Sequence, residues 1–290
     1  MHSEDNEIQE FLIRQIKETG IPLEIKTSLD LSQKWDHITN QDTYVDSETN
    51  KLREIDISAY SSQIPAQDIE FEPNFVIECK KSEKYAWVFF TQPKPSDFDI
   101  NEFAGQFLDD LQMATKDVYR SEIRDIVFKN IKLHYDEQRK CAVTFQDFKI
   151  GEVKSQFREQ QNEINEARQQ LKGYIAWAMR QDVDFWKPIT PYSIEMYFPC
   201  IVFKGRLYEG VVKGDDVSLV EAKHLVFSTL YKSNYSPYER NMLIDVVRED
   251  FFESYQELIM QDVRKIAKNI EINADLIRNT IKKMTSQVKT

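Results

Sequence analysis

The sequence predicts an α/β protein in which helices flank a mixed central β-sheet. Apolar residues recur every three or four positions near the N-terminus and again in a long glutamine-rich stretch, which is typical of helices. Between these stretches, short apolar runs alternate with polar residues and end in turn residues, as strands do. The order of helix, strands, long helix and further strands indicates one sheet with helices packed on it.

The N-terminal helix is predicted over residues 5–19, where isoleucine and leucine recur at four-residue spacing. Gly20 and Pro22 form a stop signal for this helix. The letters LEIKTS that follow, residues 23–28, are predicted as a strand.

Four further strands are predicted before the middle of the chain. The polar letters DSETN form a turn between a short strand near Tyr44 and a longer one from Lys51 to Tyr60. NFVIECKK and YAWVFFT then give two buried strands, separated by the polar link SEK. We therefore expect a hairpin followed by two separate strands.

From Gln92 to about Gly151 the pattern is less regular. A helix is predicted over IRDIVFKNI or over FAGQFLDDLQMA, and KCAVTFQDFKI is predicted as a strand or hairpin. The long glutamine-rich helix follows over residues 153–180, with its apolar positions at Phe157, Ile164, Ala167, Leu171, Tyr174 and Ala178.

The C-terminal region is predicted to add strands and then helices. MYFPCIVF, KGRLYEGVV and SLVEAKHLVFSTL are predicted strands, with turns at Gly205 and Gly214. MLIDVV is a further buried strand or the start of a helix, and the remaining residues are helical.

Composition limits the class of protein. The chain of 290 residues has 41% hydrophobic residues, enough for a substantial core, and its longest apolar runs are too short to span a membrane. The acidic N-terminus does not resemble a signal peptide, so we expect a cytoplasmic protein with no membrane partner. Three cysteines without CxxC spacing indicate reduced thiols.

The charge distribution bears on nucleic-acid binding. A net charge of −11 is unfavourable for a protein that contacts phosphates. From Arg264 onward, however, the chain has seven basic residues against two acidic ones. A second basic cluster consists of Lys80, Lys81 and Lys84.

Two strands contain charged residues that can meet. Because side chains alternate along a strand, Ile55 and Ile57 are expected on one face and Glu54 and Asp56 on the other. In the same way, Ile77 and Cys79 are expected to be buried, while Glu78 and Lys80 share the opposite face. If the two strands are neighbours, Asp56, Glu78 and Lys80 converge.

Two carboxylates brought close together repel each other unless a cation lies between them. Oxygen ligands suit Mg²⁺ or Mn²⁺, and Lys80 could orient an attacking water or stabilise charge in a transition state. The alternative is that these charged residues form the solvated face of an antiparallel sheet.

The residues Asp56 and Glu78-x-Lys80, on successive strands after an N-terminal helix, resemble the PD-(D/E)xK nuclease superfamily. The resemblance implies a restriction-endonuclease-like core and a metal held by Asp56, Glu78 and the backbone carbonyl of Cys79. The proline of the family name is absent, because Arg53 and Glu54 precede Ile55 and Asp56.

On the long helix, QQLKGY places Gln170 and Tyr174 one turn apart. The pair resembles the Q-x-x-x-Y element of RecB-type members of the superfamily. The resemblance implies that Gln170 and Tyr174 steady the site or contact the DNA backbone. The alternative is an exposed glutamine beside a core tyrosine.

Many superfamily members have a glutamate on the first helix that points into the site. The best match here is Gln9, flanked by Glu7 and Glu10. A third acidic ligand is therefore left open among these residues and Glu54, which is expected on the face of Asp56.

The implied core consists of residues 1–90 and 153–212, with an insertion at 91–152. Residues 213–290 add strands and helices that complete or flank that core.

Several other features are given no functional role. The four histidines, His2, His37, His134 and His224, are isolated in the sequence, and Asp109 and Asp110 are expected on a solvated helix face. The aromatic run YAWVFF is expected to be a buried strand rather than a surface for base stacking.

We therefore expect a Mg²⁺- or Mn²⁺-dependent nuclease that hydrolyses phosphodiester bonds in DNA, with the basic residues contacting phosphates. Its acidic composition leaves room for a homodimer or a protein partner. The alternatives are a nuclease-fold protein that binds nucleic acid or assembles without cleavage, and a nuclease directed at RNA.

Overall fold

The computed structural model describes residues 2–46, 49–94, 106–109, 122–137, 140–151, 162–185, 192–232 and 239–288. Its helices are α1 (His2–Glu18), α2 (Ile21–Leu31), α3 (Glu122–Val127), α4 (His134–Glu137), α5 (Asn162–Phe185), α6 (Phe252–Ile272) and α7 (Ala274–Val288). Its strands are β1 (His37–Asp46), β2 (Lys51–Tyr60), β3 (Gln63–Ala66), β4 (Ile69–Pro93), β5 (Phe107–Asp109), β6 (Lys140–Lys149), β7 (Tyr192–Lys213), β8 (Asp216–Glu221), β9 (His224–Lys232) and β10 (Glu239–Arg248).

The N-terminus forms two helices, so the predicted strand at residues 23–28 is wrong. Pro22 lies in the first turn of α2, where a missing N–H has no cost, and therefore it helps to start this helix. Leu23, Thr27 and Leu31 are buried at four-residue spacing, which fixes α2 on the sheet. Helix α1 packs on α2, with its apolar residues largely exposed.

The predicted hairpin is confirmed. Strands β1 and β2 pair antiparallel from His37↔Tyr60 to Asp46↔Lys51, and the chain reverses at the predicted turn. Strand β1 has ten residues and is longer than the predicted short strand near Tyr44.

Two long strands replace pairs of predicted strands. NFVIECKK and YAWVFFT belong to the 25-residue β4, and MYFPCIVF and KGRLYEGVV belong to the 22-residue β7. The two strands pair in parallel along both halves, with a register shift between Lys81 and Ala86. Because the pairing resumes at Ala86↔Arg206, beyond the SEK link and Gly205, both strands continue through these positions.

Ten strands in the described residues form one mixed sheet, in the order β1-β2-β4-β6-β9-β10-β7-β5. Strand β4 also pairs with β7, so the path β4-β6-β9-β10-β7 closes on itself. The closing contact between β6 and β9 is the pair Ala142↔Phe227. The α/β class with a mixed, helix-flanked sheet is therefore confirmed.

The C-terminal strands differ in one respect from the prediction. SLVEAKHLVFSTL forms β8 and β9 instead of one strand, because the chain changes its partner at Ala222 and Lys223. The Ala222 N–H donates to Leu207 of β7, whereas the Lys223 carbonyl accepts from Arg248 of β10. The turn at Gly214 is confirmed, and this glycine has a φ of 61°. MLIDVV lies within β10, and the rest of the described chain is helical.

Two hydrophobic clusters hold the helices on the sheet. One contains side chains from α2, α3, α6 and α7, with Ile57, Ile77 and Cys79 of the sheet. The other contains side chains from α5, with Ile55 and Val76 of the sheet. The long helix is thus confirmed over residues 162–180 and continues to Phe185, beyond the predicted end, while Phe157 and the rest of 153–161 lie outside the described residues.

The region predicted as an insertion contributes to the same sheet. Strand β6 pairs with β4, as KCAVTFQDFKI predicted, and β5 pairs with β7. Helix α3 begins at Glu122, one residue before the first of the two proposed segments, and covers the first five residues of that segment. Leu108 and Asp109 of the second segment lie in β5, and most of its other residues lie outside the described ones.

Among the described helices, none combines the length and apolar character needed to cross a membrane.

Gly205 is predicted to be essential for the joint between β4 and β7. A Cβ atom there would contact the Phe203 ring and lie 2.6 Å from the backbone oxygen of Ser82. We expect Gly205→Ala to lower the free energy of unfolding by about 1–3 kcal/mol, because the close-packed sheet must shift. Urea denaturation followed by circular dichroism measures this change.

Gly20→Ala is the matched control for this substitution. Its Cβ atom would meet only the flexible end of Glu24, at 3.3 Å. The control should stay within about 0.5 kcal/mol of the wild type. Equal effects of the two substitutions would contradict the role given to Gly205.

Candidate active site

The site forms where β2 and β4 separate. Their antiparallel ladder runs from Tyr60↔Asn74 to Ile57↔Ile77 and stops there. The Asp56 side chain then accepts a hydrogen bond from the Cys79 backbone N–H at 2.7 Å. A carboxylate thus takes the place of the next backbone carbonyl, and this opens a gap between two adjacent strands.

The predicted alternation of side chains fails at Asp56. Ile55 and Ile57 were expected on one face, but they belong to the two different buried clusters. The register of β1 places Gln41 opposite Asp56, and Gln41 has a φ of 54°, in the left-handed region. The ladder is therefore distorted on both strands at the position where Asp56 turns toward Cys79.

Glu78 and Lys80 form an ion pair on the face of β4 that carries Val76. The Lys80 Nζ lies 2.6 Å from Glu78 Oε2. Glu78 is fully buried and the Lys80 side chain is 19% exposed. These two residues are not part of a solvated sheet face, which was the alternative interpretation of the pattern.

Burial and neighbouring charge shift the pKa values of all three residues. Burial raises the pKa of Asp56, against the opposing effects of Lys80 and the Cys79 N–H. Burial and the Asp56 charge outweigh Lys80 and raise the pKa of Glu78 to about 8. Burial alone would lower the pKa of Lys80, but Glu78 and Asp56 outweigh it, so the pKa rises and Lys80 stays an ammonium.

One oxygen of this group has no hydrogen bond of ordinary geometry in the described part of the chain, although the Asp56 backbone N–H lies close enough to Glu78 to lower its pKa. Glu78 Oε1 is buried, while Oε2 accepts from Lys80. A buried carboxylate oxygen without a donor has a large desolvation cost, which a cation would offset. Carboxylate oxygens such as these are suitable ligands for a divalent metal ion.

Helix α2 supplies an acidic residue that the sequence analysis missed. Burial and the Asp56 charge raise the pKa of Glu24, and Lys80 opposes them, so Glu24 lies within the field of the site. One turn later on the same helix, Thr27 lies beside the Cys79 thiol. The spacing of Leu23, Thr27 and Leu31 was the available signal for this helix.

The other candidates for a third acid lie elsewhere. Glu7, Gln9 and Glu10 are exposed on α1, and Glu54 is exposed on β2. A different acid, Glu163, lies in the first turn of α5. Burial and Asp147 raise the Glu163 pKa and Lys80 lowers it, so α5 adds negative charge on the side of the site away from α2.

Gln170 and Tyr174 contact the strands beside the site instead of its carboxylates. The Gln170 Nε2 donates to the Glu54 carbonyl at 3.2 Å, two residues before Asp56. The Tyr174 hydroxyl donates to Asp42 Oδ2 at 2.7 Å, and Tyr174 is buried. A Cβ on Gly173 would lie 2.9 Å from the Tyr44 hydroxyl, so this glycine lets α5 approach β1 closely.

Three of the described basic residues of the C-terminal region form ion pairs within the protein, while Arg264, Lys282 and Lys283 are exposed. Lys265 pairs with Asp262, Lys268 with Glu271, and Arg278 with Asp68 and Asp275. Near the site, Lys81 donates to the Lys17 carbonyl at 2.6 Å, whereas Lys84 is exposed. Within the cluster of Lys80, Lys81 and Lys84, Lys84 is thus the exposed residue. Lys289 lies outside the described residues.

Two of the histidines treated as isolated are neighbours in the fold. His134 and His224 meet at Asp245, although no local pattern connects them. Burial alone would lower the His134 pKa, but Asp245 and Asp262 outweigh it and raise the value to about 9. Asp109 lies in β5 instead of a helix, and Asp110 lies outside the described residues.

Comparison with protein-family models, with curated proteins and with solved structures gave no match to this chain.

The stability of the metal-free protein is predicted to fall as Glu78 ionises. Its pKa is near 4.5 when unfolded and about 8 when folded. Between these values the folded state binds one more proton than the unfolded state, so the free energy of unfolding falls as pH rises. Glu78→Gln removes this dependence. As pH rises from 5 to 8, the free energy of unfolding of Glu78→Gln should increase relative to that of the wild type by up to about 4 kcal/mol.

Urea denaturation in EDTA at pH 5, 6.5 and 8 measures the difference. Glu83→Gln is the control on the same strand, because its side chain is 69% exposed. The control should follow the wild type at each pH. A difference between Glu78→Gln and the wild type that does not change with pH would contradict the shifted pKa.

Proposed function

We propose that this protein is a metal-dependent nuclease of the PD-(D/E)xK type that hydrolyses phosphodiester bonds in DNA. One observation carries the proposal. Asp56 accepts from the Cys79 N–H at the point where Glu78 and Lys80 form a buried ion pair. Three residues that resemble the superfamily motif in their order along the chain thus also lie close together in the fold.

The fold is compatible with the restriction-endonuclease-like core that the resemblance implies. The motif residues lie on the adjacent strands β2 and β4 and follow two N-terminal helices. Gln170 on the long helix donates to the strand segment that carries Asp56. This supports a positioning role for Gln170, while contact of either Q-x-x-x-Y residue with DNA remains a prediction.

The residues present fit a Mg²⁺ or Mn²⁺ ion. Glu78 Oε1 is buried without a hydrogen bond of ordinary geometry within the described residues, and the charges of Asp56 and Glu24 act on the same group of side chains. Asp56, Glu78 and Glu24 would hold the ion, and the Cys79 carbonyl remains a further predicted ligand. Such an ion would polarise a phosphoryl oxygen and lower the pKa of its bound water.

Lys80 would stabilise the transition state as a hydrogen-bond donor. Its raised pKa keeps the side chain charged at neutral pH, and therefore it is a poor general base. The ammonium can orient the attacking water and neutralise charge that develops on the phosphoryl oxygens. Water adds its oxygen to phosphorus while the ester P–O bond breaks, and the products are a phosphate monoester and an alcohol.

Because the protein is acidic, binding of DNA requires basic residues that contact its phosphates. Lys84 is exposed close to Lys80 in sequence, whereas several C-terminal basic residues are paired with acids. Few phosphate contacts from one chain imply weak affinity, with a shallow dependence on salt. A homodimer or a protein partner would add the missing contacts.

Asp56→Asn and Lys80→Met are predicted to lower the cleavage rate by about 100-fold or more. Asparagine can still accept from the Cys79 N–H but has no negative charge for a metal, and methionine keeps the length of Lys80 without its charge. Nicking of supercoiled plasmid and degradation of single-stranded circular DNA in Mg²⁺ or Mn²⁺ measure the rate.

Asp216→Asn on β8 and Lys51→Met on β2 are the matched controls, because both side chains are exposed. Both should cut as the wild type does. A folded wild type that cuts neither DNA nor RNA with either ion would contradict the proposal and favour the non-catalytic binding module. Cleavage of RNA but not of DNA would show that the substrate is RNA, while the assignment of the site would stand.

Glu24→Gln is predicted to raise the metal concentration needed for half-maximal cleavage by roughly tenfold, because one negative charge leaves the site. Titration of cleavage rate against Mg²⁺ measures this change. Asp30→Asn, on the same helix, is the control and should leave the titration unaltered. An unchanged titration for Glu24→Gln would show that Glu24 does not contribute to metal binding.

A further inference from the structure

A second group of ionisable side chains is buried on different elements. His134 begins α4, His224 begins β9, Asp245 lies in β10 and Asp262 lies in α6. His134 is 4% exposed, Asp245 is fully buried, and Asp262 is 1% exposed. None of these residues belongs to the proposed nuclease site.

The two imidazoles converge on one carboxylate. The His224 Nε2 lies 2.6 Å from Asp245 Oδ1. The His134 Nε2 lies 3.3 Å from both oxygens of Asp245. One ligand atom from each of the three residues lies within 4.8 Å of the others, a spacing that one metal ion can bridge.

Asp262 fixes the orientation of His134. Its Oδ2 lies 2.5 Å from His134 Nδ1 and also accepts from the His134 backbone N–H at 2.8 Å. The Nδ1 of His134 is therefore the donor in this pair, because a carboxylate only accepts. This carboxylate–histidine arrangement is the one that orients metal-ligating histidines in proteins.

The Nε2 of His134 consequently requires a cation. With Nδ1 protonated, a neutral imidazole presents the Nε2 lone pair toward Asp245, only 3.3 Å from its two oxygens. A lone pair facing a buried carboxylate is repulsive, so a proton or a metal ion must lie between them. A proton would make His134 an imidazolium held between two carboxylates.

Tyr255 packs on both histidines, with its ring centroid 5.0 Å from that of His224 and 6.0 Å from that of His134. Burial and the Asp245 charge raise the pKa of Tyr255, so its hydroxyl lies beside the same carboxylate. The cluster is thus enclosed by an aromatic side chain whose polar end also faces Asp245.

We propose that His134, His224 and Asp245 bind one Zn²⁺ ion, with Asp262 orienting His134. Two imidazoles and a carboxylate suit zinc better than Mg²⁺, which prefers oxygen ligands alone. The ion joins α4 to β9 and β10, and through Asp262 to α6. This links the segment between β5 and β6 to the closed part of the sheet.

The test measures metal binding directly and does not depend on nuclease activity. The 290-residue chain without an affinity tag is stripped with chelator, dialysed against Zn²⁺ and analysed by mass spectrometry of the metal. We expect one tightly bound Zn²⁺ per chain. We also expect X-ray absorption of that sample to show two imidazoles around zinc.

Variants assign the site. His224→Gln and Asp245→Asn should weaken Zn²⁺ binding by at least about 100-fold, because each removes one of three ligands. His37→Gln, an exposed histidine stacked on Tyr60, should bind as the wild type does. Asp56→Asn should also keep the zinc, since it alters only the nuclease site.

Several results would overturn the proposal. One is a wild type that retains no Zn²⁺ after dialysis, which would assign a proton to the position between His134 and Asp245. Another is binding that persists in both folded ligand variants. Should those variants fail to fold, the wild-type absorption spectrum still decides, because a shell of oxygen atoms alone would place the zinc at the carboxylates near Asp56.

Discussion

The hydrogen bond from the Cys79 N–H to the Asp56 carboxylate is the constraint on which the candidate active site depends. In a regular ladder a backbone carbonyl would accept this hydrogen bond, and the two strands would stay closed. A carboxylate in its place keeps β2 attached to β4 but holds the backbones apart. The gap that results lies between α2 and α5, so side chains from both layers can reach Glu78 and Lys80 on β4.

Strand β4 has two structural roles, and they support each other. Its first half pairs with β2 and carries Glu78, while its second half pairs with β6 in the closed part of the sheet. β7 runs beside both halves, so the strand cannot relax around a buried carboxylate without breaking many hydrogen bonds. A costly group such as Glu78 can therefore persist without a divalent ion, at the expense of stability. This trade between stability and a preorganised site is common in enzymes.

The sequence was most informative where a local pattern decides the structure. The β1–β2 hairpin, the apolar spacing of α5, and the burial of Ile77 and Cys79 on one face of β4 follow from periodicities of two or of three to four. Asp56 was correctly expected near Glu78 and Lys80, but the alternation that led to this expectation breaks at Asp56 itself. Prediction failed where a local signal had two meanings. Pro22 was interpreted as a helix stop, but it lies in the first turn of α2, and the same error concealed Glu24. Gly205 was interpreted as a turn, yet it permits close packing within β7. His134, His224 and Asp245 come from three distant elements, so no window of sequence could group them.

The two ionisable clusters differ in a way that would sort metals between them. The carboxylates around Lys80 are oxygen donors with one opposing ammonium, and such a site has little preference for zinc beyond the general order of affinities. The second cluster offers two imidazole nitrogens, one already oriented by Asp262, which strengthens binding of a borderline ion. Under the two proposals, scarce Zn²⁺ would occupy the histidine cluster first, while the more abundant Mg²⁺ would reach the carboxylates. The His134–Asp245 contact would then hold its ion where α4 meets the sheet, apart from the nuclease site.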